Sequence, residues 1–324
     1  MKTYFLKGTV TALSSISHNG GESFGIDSLL RREKFVQPDG SVEEVPVISG
    51  NGVRGSLRDR GMLHMCRLLG YGTDEQVGRI RGLTIGAFHF LFSGGSLSAD
   101  GGKTINIERA RELRGLIPLV SIFGGAMGNQ IMPGKLDMGK MIPICAETAH
   151  LLPEQFAPEK PTSIWEYTQR EMYTRKDDEK NEHLRTVIES GAAKMIESAR
   201  AAKSAKVAAG EPVEESGQSQ QMMYYVETLA AGTKFYWSVA LRDVTDVEFE
   251  AFLITLAEFS KRPFVGGKAN VGHGEVALNF GSWYSIDSRL RDTAATEVAA
   301  PLGEAYLAHI NSTGARIRAA LDVM

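Results

Sequence analysis

Residues 47–59 restrict the possible folds of this chain more than any other stretch of its sequence. A short apolar, β-branched run ends in a turn that contains two suitable helix N-caps, Ser49 and Asn51. Apolar residues then recur at helical spacing, namely Val53, Leu57, Leu63, Leu68 and Leu69. The stretch therefore predicts a strand that passes through a tight turn into a long helix with one buried face.

The start of this helix is suited to holding a phosphate group. A helix N-terminus presents unpaired amide N–H groups and the positive end of the helix dipole. Arg54 and Arg58 are one helical turn apart and project from the same face. Gly50-x-Gly52-x-x-Gly55 also matches the dinucleotide fingerprint, but residues 70–76 are polar where that fingerprint requires a second buried strand. The alternative interpretation is an ordinary capped helix with two solvated arginines.

The composition is that of a soluble globular protein. Of the 324 residues, 43% are hydrophobic and 23% are charged, and no apolar run is long enough to span a bilayer. The first residues do not form a signal peptide, so we expect a cytoplasmic protein with no membrane partner. Cys66 and Cys145 lack the spacing of metal ligands or of a disulfide framework. We therefore expect neither a metal nor another cofactor.

The charge distribution makes a nucleic-acid partner depend on local groups of cations. The net charge of −3 does not favour general attraction to a polyanion. Residues 103–114 carry a local basic excess, which is typical of a solvated helix face. Gly102-Lys103-Thr104 ends like a phosphate-binding Walker loop, but the first glycine of that motif would fall at Leu97, which excludes a P-loop.

The first half of the chain predicts strands followed by a glycine-rich region. Residues 3–13 are typical of a strand, residues 14–27 of a loop, and residues 31–36 and 42–48 of a hairpin. Residues 70–133 form an insertion that is broken by glycines. Within it we expect helices at 107–114 and 116–123 and flexible tips at 93–95 and 100–104.

The second half predicts a polar insertion between regular elements. Residues 135–146 indicate a strand, and residues 165–220 an insertion whose larger part, 174–220, is too polar to order itself alone. Residues 222–229 and 234–241 then predict a β-hairpin around a tight turn. The remaining elements are a helix capped by Asp246, a glycine-rich loop at 265–274, a strand at 276–280 and a helical segment at 286–324.

Without its insertions, the order of elements is strand, helix, strand, strand, helix, strand. This order predicts an α+β fold with an RRM-like (ferredoxin-like βαββαβ) core and large insertions. We expect residues 1–324 to form a single domain of this kind. A four-stranded sheet with two helices behind it leaves one sheet face free, and RRM-type proteins use that face for RNA.

Several motifs resemble those of one protein family, the RAMP superfamily of CRISPR-associated proteins. Residues 48–58 resemble its strand-to-helix signature, in which a turn of small residues precedes Arg-Gly and a second Arg. Residues 265–274 resemble its glycine-rich loop near the C-terminus. Residues 221–235 resemble the hairpin that follows the "thumb" of backbone subunits, and residues 121–125 a short segment of the same subunits. Among these subunits, the chain is most similar to those of type IV complexes.

The resemblance implies a non-catalytic subunit that binds CRISPR RNA. Copies of such a subunit stack along the RNA as a helical filament, and the thumb of one copy reaches over the RNA toward its neighbour. The other implied partners are the target nucleic acid paired to the guide, expected to be DNA, and further subunits of the effector complex. Because the guide sequence varies, contacts should be made to phosphates and not to base edges.

The resemblance also implies which residues contact RNA. At the strand-to-helix turn, which we call the central turn, they are Ser49, Asn51, Gly52, Arg54 and Arg58. In the glycine-rich loop they are Gly266, Gly267, Lys268, Asn270 and His273. At the base of the thumb-like insertion they are Arg170, Tyr173, Arg175 and Lys176.

Two catalytic alternatives remain open from the sequence. In a backbone subunit of the type III kind that cuts target RNA, the candidate is Asp27. In a CRISPR RNA-processing ribonuclease of the same superfamily, a histidine general base is needed, and His18 or His64 is the candidate. His64 falls within the predicted helix among apolar residues, which favours a structural role.

Overall fold

A computed structural model describes residues 1–24, 27–72, 82–95, 106–127, 130–174, 198, 223–287, 295–300 and 303–324. These residues form two compact units. The larger unit comprises Met1–Glu22, Leu30–Gln169 and Thr228–Met324, and the smaller unit comprises Ser23–Leu29 and Arg170–Glu227. None of the helices in the described ranges is long and apolar enough to cross a membrane.

The described residues form groups of consecutive strands separated by helices. The strands are β1 (Lys2–Ala12), β2 (Asn19–Phe24), β3 (Asp27–Leu30), β4 (Arg32–Val36), β5 (Val42–Pro46), β6 (Gly125–Met127), β7 (Gln130–Met132), β8 (Leu136–Met138), β9 (Ile142–Pro143), β10 (Thr168–Thr174), β11 (Met223–Leu229), β12 (Lys234–Val244), β13 (Val276–Phe280), β14 (Trp283–Asp287) and β15 (Thr296–Val298). The helices are α1 (Gly50–Leu68), α2 (Ile85–Phe92), α3 (Ile107–Leu116), α4 (Pro118–Phe123), α5 (Asp246–Ser260) and α6 (Glu304–Asp322).

The core of the larger unit is an antiparallel sheet built around β1 and β12. Its strands follow the order β15-β14-β1-β12-β8, with β13 also beside β1 and β9 also beside β12. Leu6 of β1 is opposite Val239 of β12, and Val10 is opposite Phe235, so buried residues alternate along both strands. The α+β class is confirmed, and this sheet agrees with a ferredoxin-like core that carries insertions.

Two helices of the predicted core pack closely against the sheet and each other. The ring of Tyr4 in β1 stacks on that of Phe249 in α5, with ring centroids 3.7 Å apart. A Cβ on Gly61 of α1 would lie 2.4 Å from Oγ1 of Thr255 in α5. Helix α1 therefore meets α5 at a position where only glycine fits without a shift.

This contact gives a stability prediction with a matched control. We expect Gly61→Ala to lower the free energy of unfolding by about 1–3 kcal/mol, because the two helices must move apart. Gly55→Ala places a methyl group on the same helix where no atom lies within 4 Å. We expect it to raise the free energy of unfolding by up to about 1 kcal/mol, because alanine favours helix over glycine. Urea unfolding measures both, and equal stabilities would contradict the close contact.

The structure confirms the first strand, the hairpin β4–β5, the long helix predicted after the central turn and the helices predicted at 107–114 and 116–123. The predicted apolar face of α1 is wrong at two positions, because Leu63 and Leu68 are exposed. The buried side chains lie on the face that includes Gly61 and meets α5. The buried face therefore keeps the predicted Val53 and Leu57 and continues through Met62, Met65 and Cys66.

The predicted hairpin of residues 222–241 is wrong. Strands β11 and β12 are joined by a tight turn but belong to different sheets, because β12 pairs with β1 on one side and with β8 and β9 on the other. No edge of β12 is left for β11. Strand β11 instead lies in a four-stranded sheet of order β10-β11-β3-β2.

Four smaller predictions are also corrected. Part of the predicted loop at 14–27 forms β2, and the predicted strand at 135–146 is interrupted between β8 and β9. Strand β15 lies within the segment at 286–324 that was predicted to be helical. Thr245, and not Asp246, caps α5: its side chain accepts a hydrogen bond from the Glu248 N–H, and the Glu248 carboxylate accepts one from the Thr245 N–H. The tip predicted at 100–104 and residues 175–197 and 199–222 of the polar insertion lie outside the described residues.

Candidate nucleic-acid interface

The central turn is held by a side-chain cap and leaves amide groups available. Ser49 is the N-cap of α1, and its Oγ accepts a hydrogen bond from the Gly52 N–H at 3.1 Å. The next amides, those of Gly50 and Asn51, have no hydrogen-bond partner among the described residues. Asn51 and Gly52 are exposed. This end of the helix can therefore donate hydrogen bonds to a bound anion.

The His18 side chain contacts Ser49, the residue that caps α1. Its Nε2 lies 3.1 Å from both the backbone N and the Oγ of Ser49, so the ring accepts the Ser49 N–H. Burial, followed by the nearby positive charge of Arg31, lowers the pKa of His18 below its ordinary value. Both effects favour the neutral ring that this hydrogen bond requires. His18 thus acts as part of the helix start.

The segment Ser15–His18 joins the glycine-rich loop to the central turn. The Gly267 N–H donates to the Ser17 carbonyl at 2.7 Å, and the Gly274 N–H donates to the Ser15 carbonyl at 2.8 Å. One residue further, His18 holds Ser49. Two motifs that are far apart in sequence therefore lie on either side of one short segment of the larger unit.

The predicted contact residues of this loop differ in accessibility. Gly266, Gly267 and Asn270 are exposed, and Lys268 is partly exposed with a left-handed backbone at φ 61°. His273 is only 2% exposed, and its Nδ1 lies 2.8 Å from the Ser15 Oγ. Direct contact between this ring and RNA stays a prediction. Its contacts in the structure explain a different role, which is to position the loop.

Arg54 and Arg58 converge on the end of helix α4. Arg58 is buried, and its Nη2 donates to the carbonyls of Phe123 at 2.7 Å and Gly124 at 2.9 Å. Arg54 donates to the same Phe123 carbonyl. Phe123 is the last residue of α4 and Gly124 is its C-cap, so neither carbonyl has a partner within the helix. The Nε of Arg54 is buried and has no hydrogen-bond partner among the described residues.

The two arginines line an open cleft of about 790 Å³, which we call the arginine cleft. The described residues that line it include no aspartate or glutamate. They are Asn51, Arg54, Gly55, Arg58, Phe92, Ser93, Gly94, Gly95, Phe123, Gly125, Ala126, Ile131, Met132, Pro133 and Gly134.

The electrostatics of the arginine cleft favour an anion. Burial, followed by the charge of Arg54, lowers the pKa of Arg58 to about 10, although Asp59 partly opposes this shift. The guanidinium remains protonated at neutral pH, but the lowered pKa shows that its surroundings disfavour the charge. The carbonyls that accept its hydrogen bonds carry no full negative charge. A bound phosphate would supply that charge to both arginines at once.

Gly94 and Gly95 form a wall of the arginine cleft, and this corrects the prediction of a flexible tip at residues 93–95. Both have positive φ angles, 78° and 82°. A Cβ on Gly94 would lie 2.4 Å from Nη1 of Arg58, and one on Gly95 would lie 1.8 Å from the Ala126 carbonyl. The pair lets the backbone pass close to Arg58. The sequence signal was the Gly-Gly pair itself, which indicates close backbone approach as well as flexibility.

The remaining predicted contacts belong to the base of the thumb-like insertion. Arg170 and Tyr173 lie on β10, in the smaller unit. Arg170 donates from Nη2 to both carboxylate oxygens of Asp27, at 2.7 and 2.8 Å. Arg175 and Lys176 lie outside the described residues. The contacts of Asp27 were not apparent from the sequence, because they depend on the pairing of β3 with β11.

No protein-family model and no curated protein sequence matches the chain. Among solved structures, the chain is similar to one in a structure entitled "Type IV-B CRISPR Complex", with a TM-score of 0.53 and 22% sequence identity. The match covers 93% of this chain and 96% of that chain. The similarity extends over nearly the whole of both chains and concerns their fold.

Proposed function

We propose that the protein is a non-catalytic RNA-binding subunit of a type IV CRISPR effector complex, in which its copies assemble side by side along the CRISPR RNA. The observation that carries this proposal is the arginine cleft, where Arg54 and Arg58 meet without a carboxylate among the described lining residues. Such a site suits the phosphates of an RNA backbone, since guanidinium groups bind phosphate oxygens in pairs.

The arrangement around the central turn supports a continuous path for an RNA strand. Asn51 of the central turn lines the arginine cleft, and the glycine-rich loop is joined to the same turn through Ser15–His18. Both sides offer backbone amides or cations, which recognise phosphates whatever the base sequence. A guide RNA, whose sequence differs from one copy of the complex to the next, requires recognition of this kind.

The full-length similarity to a chain from a type IV-B CRISPR complex also supports the proposal. That chain is part of a complex, and the similarity in fold covers 93% of this protein. The proposal also names the protein's partners. They are CRISPR RNA, a target nucleic acid, other subunits of the complex and further copies of the same chain.

The contacts of the three catalytic candidates support a non-catalytic role. The Nε2 of His18 accepts a hydrogen bond from the Ser49 N–H, and Nδ1 of His64 lies 3.3 Å from a carboxylate oxygen of Glu258 between α1 and α5. Asp27 is bound by Arg170. Each of these three side chains therefore makes a contact that gives it a structural role, and no catalytic role is needed to account for its position. A cleavage assay on synthetic RNA, with His18→Ala and Asp27→Ala as controls, tests this part of the proposal.

We expect RNA binding that depends on salt and not on base sequence. Two RNAs of equal length and different sequence should bind with affinities that agree within a few-fold. The logarithm of the affinity should fall linearly with the logarithm of salt concentration, with a slope of about −0.7 for each phosphate contacted on a single strand. Fluorescence anisotropy over a salt series measures both. A large preference for one sequence would contradict recognition through the backbone.

Assembly along RNA is tested by varying the length of the RNA. We expect the mass of the protein–RNA complex, measured by size-exclusion chromatography with light scattering, to rise in steps of one protein copy as the RNA is lengthened. A single copy on every RNA, whatever its length, would remove the filament from the proposal and leave RNA binding intact.

A further inference from the structure

The smaller unit contains an ion pair that spans three neighbouring strands. Strand β11 lies between β10 and β3, and Tyr225 of β11 is opposite Asp27 of β3 in a parallel pairing. Arg170 extends from β10 over the Tyr225 ring, with its guanidinium carbon 3.7 Å from the ring centroid, and reaches Asp27. Because side chains alternate along a strand, the stacked rings of Tyr173 and Tyr224 belong to the opposite face.

The ring of Tyr225 holds the guanidinium in a defined plane. A cation that lies flat on an aromatic face is attracted by it, and the planar guanidinium loses little freedom in forming further hydrogen bonds. Only Nη2 of Arg170 is used by Asp27, and Nη1 and Nε make no hydrogen bond with the described residues. The Arg170 side chain is 56% exposed. The Arg170 guanidinium is therefore both oriented by the Tyr225 ring and accessible to solvent.

The partner of this cation can be exchanged. This ion pair contributes little to stability, because water solvates the charge of Arg170 well, although the Asp27 side chain is only 23% exposed. The oxygens of a phosphodiester accept the same N–H groups as a carboxylate, with the same preference for a planar, two-pronged donor. A carboxylate in this position is therefore a stand-in for a phosphate.

We infer that the guanidinium of Arg170, held on the ring of Tyr225, binds an RNA phosphate, and that Asp27 competes with the phosphate for this guanidinium. The inference rests on the proposed function and adds a residue that weakens binding. Asp27 occupies Nη2 in the free protein, and its negative charge repels an approaching phosphate. It is neither a catalytic residue nor a direct RNA contact in this scheme.

The test is a double-mutant cycle on RNA binding by the full-length chain. We expect Asp27→Asn to tighten the binding of a single-stranded RNA by about two- to fivefold at low salt, since it removes a partly exposed competing charge. Arg170→Ala should weaken binding. In the Arg170→Ala background, Asp27→Asn should tighten binding by less than it does with Arg170 present, because the group for which Asp27 competes is gone and only its repulsion of the phosphate remains. Anisotropy measures the four affinities, and thermal unfolding checks that the variants remain folded.

Glu171→Gln is the matched control. It removes the same charge from the neighbouring residue of β10, whose side chain belongs to the opposite face. We expect its affinity to stay within twofold of the wild-type value. A gain equal to that of Asp27→Asn would show a general charge effect and would overturn the inference.

The other outcomes separate this inference from the proposed function. If the wild-type chain binds RNA and Asp27→Asn leaves the affinity unchanged, Arg170 is only a partner in a surface ion pair. If Asp27→Asn weakens binding, Asp27 orients Arg170 and does not compete with RNA. Either result overturns the inference alone. Absence of RNA binding by the wild-type chain overturns the proposed function and this inference with it.

Discussion

Arg54→Ala should weaken RNA binding by about ten- to a hundredfold and leave the protein folded. A charged hydrogen bond between a guanidinium and a phosphate contributes about 1.5–3 kcal/mol, which corresponds to that change in affinity. Arg54 is partly exposed in the arginine cleft, and its Nε has no partner among the described residues. If copies assemble along one RNA, each copy repeats the loss, and assembly should suffer more than single-site binding.

The control for Arg54→Ala is Arg67→Ala, which removes an exposed arginine from the last turn of the same helix, away from the cleft. A solvated arginine of this kind should change binding and stability by no more than about 0.5 kcal/mol. Arg54→Lys should recover only part of the affinity, since an ammonium group cannot make the paired contact. Affinity should be measured at one salt concentration, beside the thermal midpoint. Unchanged affinity, or a loss explained by unfolding, would remove Arg54 from the site.

Lys135→Met should lower the free energy of unfolding by about 3–5 kcal/mol, because it leaves the Glu248 carboxylate buried without its cation. The Lys135 Nζ lies 2.9 and 2.7 Å from the two carboxylate oxygens, and both side chains are largely buried. Glu248 also closes the cap of α5 with Thr245. The lost stability should therefore come from weaker packing of α5 against the sheet.

The effect of Lys135→Met should depend on pH. Burial by itself raises the pKa of Glu248, but hydrogen bonds from Lys135, Ser121 and Thr245 outweigh it and hold the pKa below its ordinary value. In the wild-type protein this carboxylate therefore stabilises the fold above its ordinary pKa, and that contribution is lost as pH falls through the lowered pKa. In the Lys135→Met variant, protonation of the Glu248 carboxylate removes its buried negative charge. The difference between variant and wild type should accordingly be largest at neutral pH and shrink toward pH 4.

Urea unfolding between pH 4 and pH 8 measures this prediction. The matched control is Lys261→Met, which breaks the exposed ion pair of Lys261 with Glu258 and should cost no more than about 1 kcal/mol at any pH. The double variant Lys135→Met with Glu248→Gln removes both charges and should recover much of the stability. A loss that is the same at pH 4 and pH 7 would show that Lys135 acts through packing and not through Glu248.

Local patterns in the chain were enough to predict most of its helices, although not α2, and many of its strands. The Ser-Gly-Asn-Gly turn and the apolar spacing after it correctly placed the start of α1 in this turn, because a cap and a periodic face are properties of neighbouring residues; of the two possible caps, Ser49 and Asn51, the structure selects Ser49. Strand β1 and the hairpin β4–β5 were predictable for the same reason. The α+β class followed from the order of these elements.

Long-range pairing could not be predicted from those patterns. Strands β11 and β12 had the appearance of a hairpin, yet β1, β8 and β9 occupy both edges of β12. Which strand fills an edge depends on every other strand in the sheet. Likewise, Gly94 and Gly95 looked like part of a loose tip, and only the backbone beside Arg58 and Ala126 shows why they are glycines.

In the candidate site too, some features were predictable from the sequence and others only from the tertiary structure. Arg54, Arg58 and the glycine-rich loop were recognisable as residues suited to phosphate, because charge and backbone freedom are intrinsic to residue types. Their partners were not recognisable: the end of α4 that receives both arginines, the segment Ser15–His18 that joins the loop to the turn, and Asp27 on Arg170. These contacts join residues far apart in sequence, and they exist only once the sheet has brought its strands together.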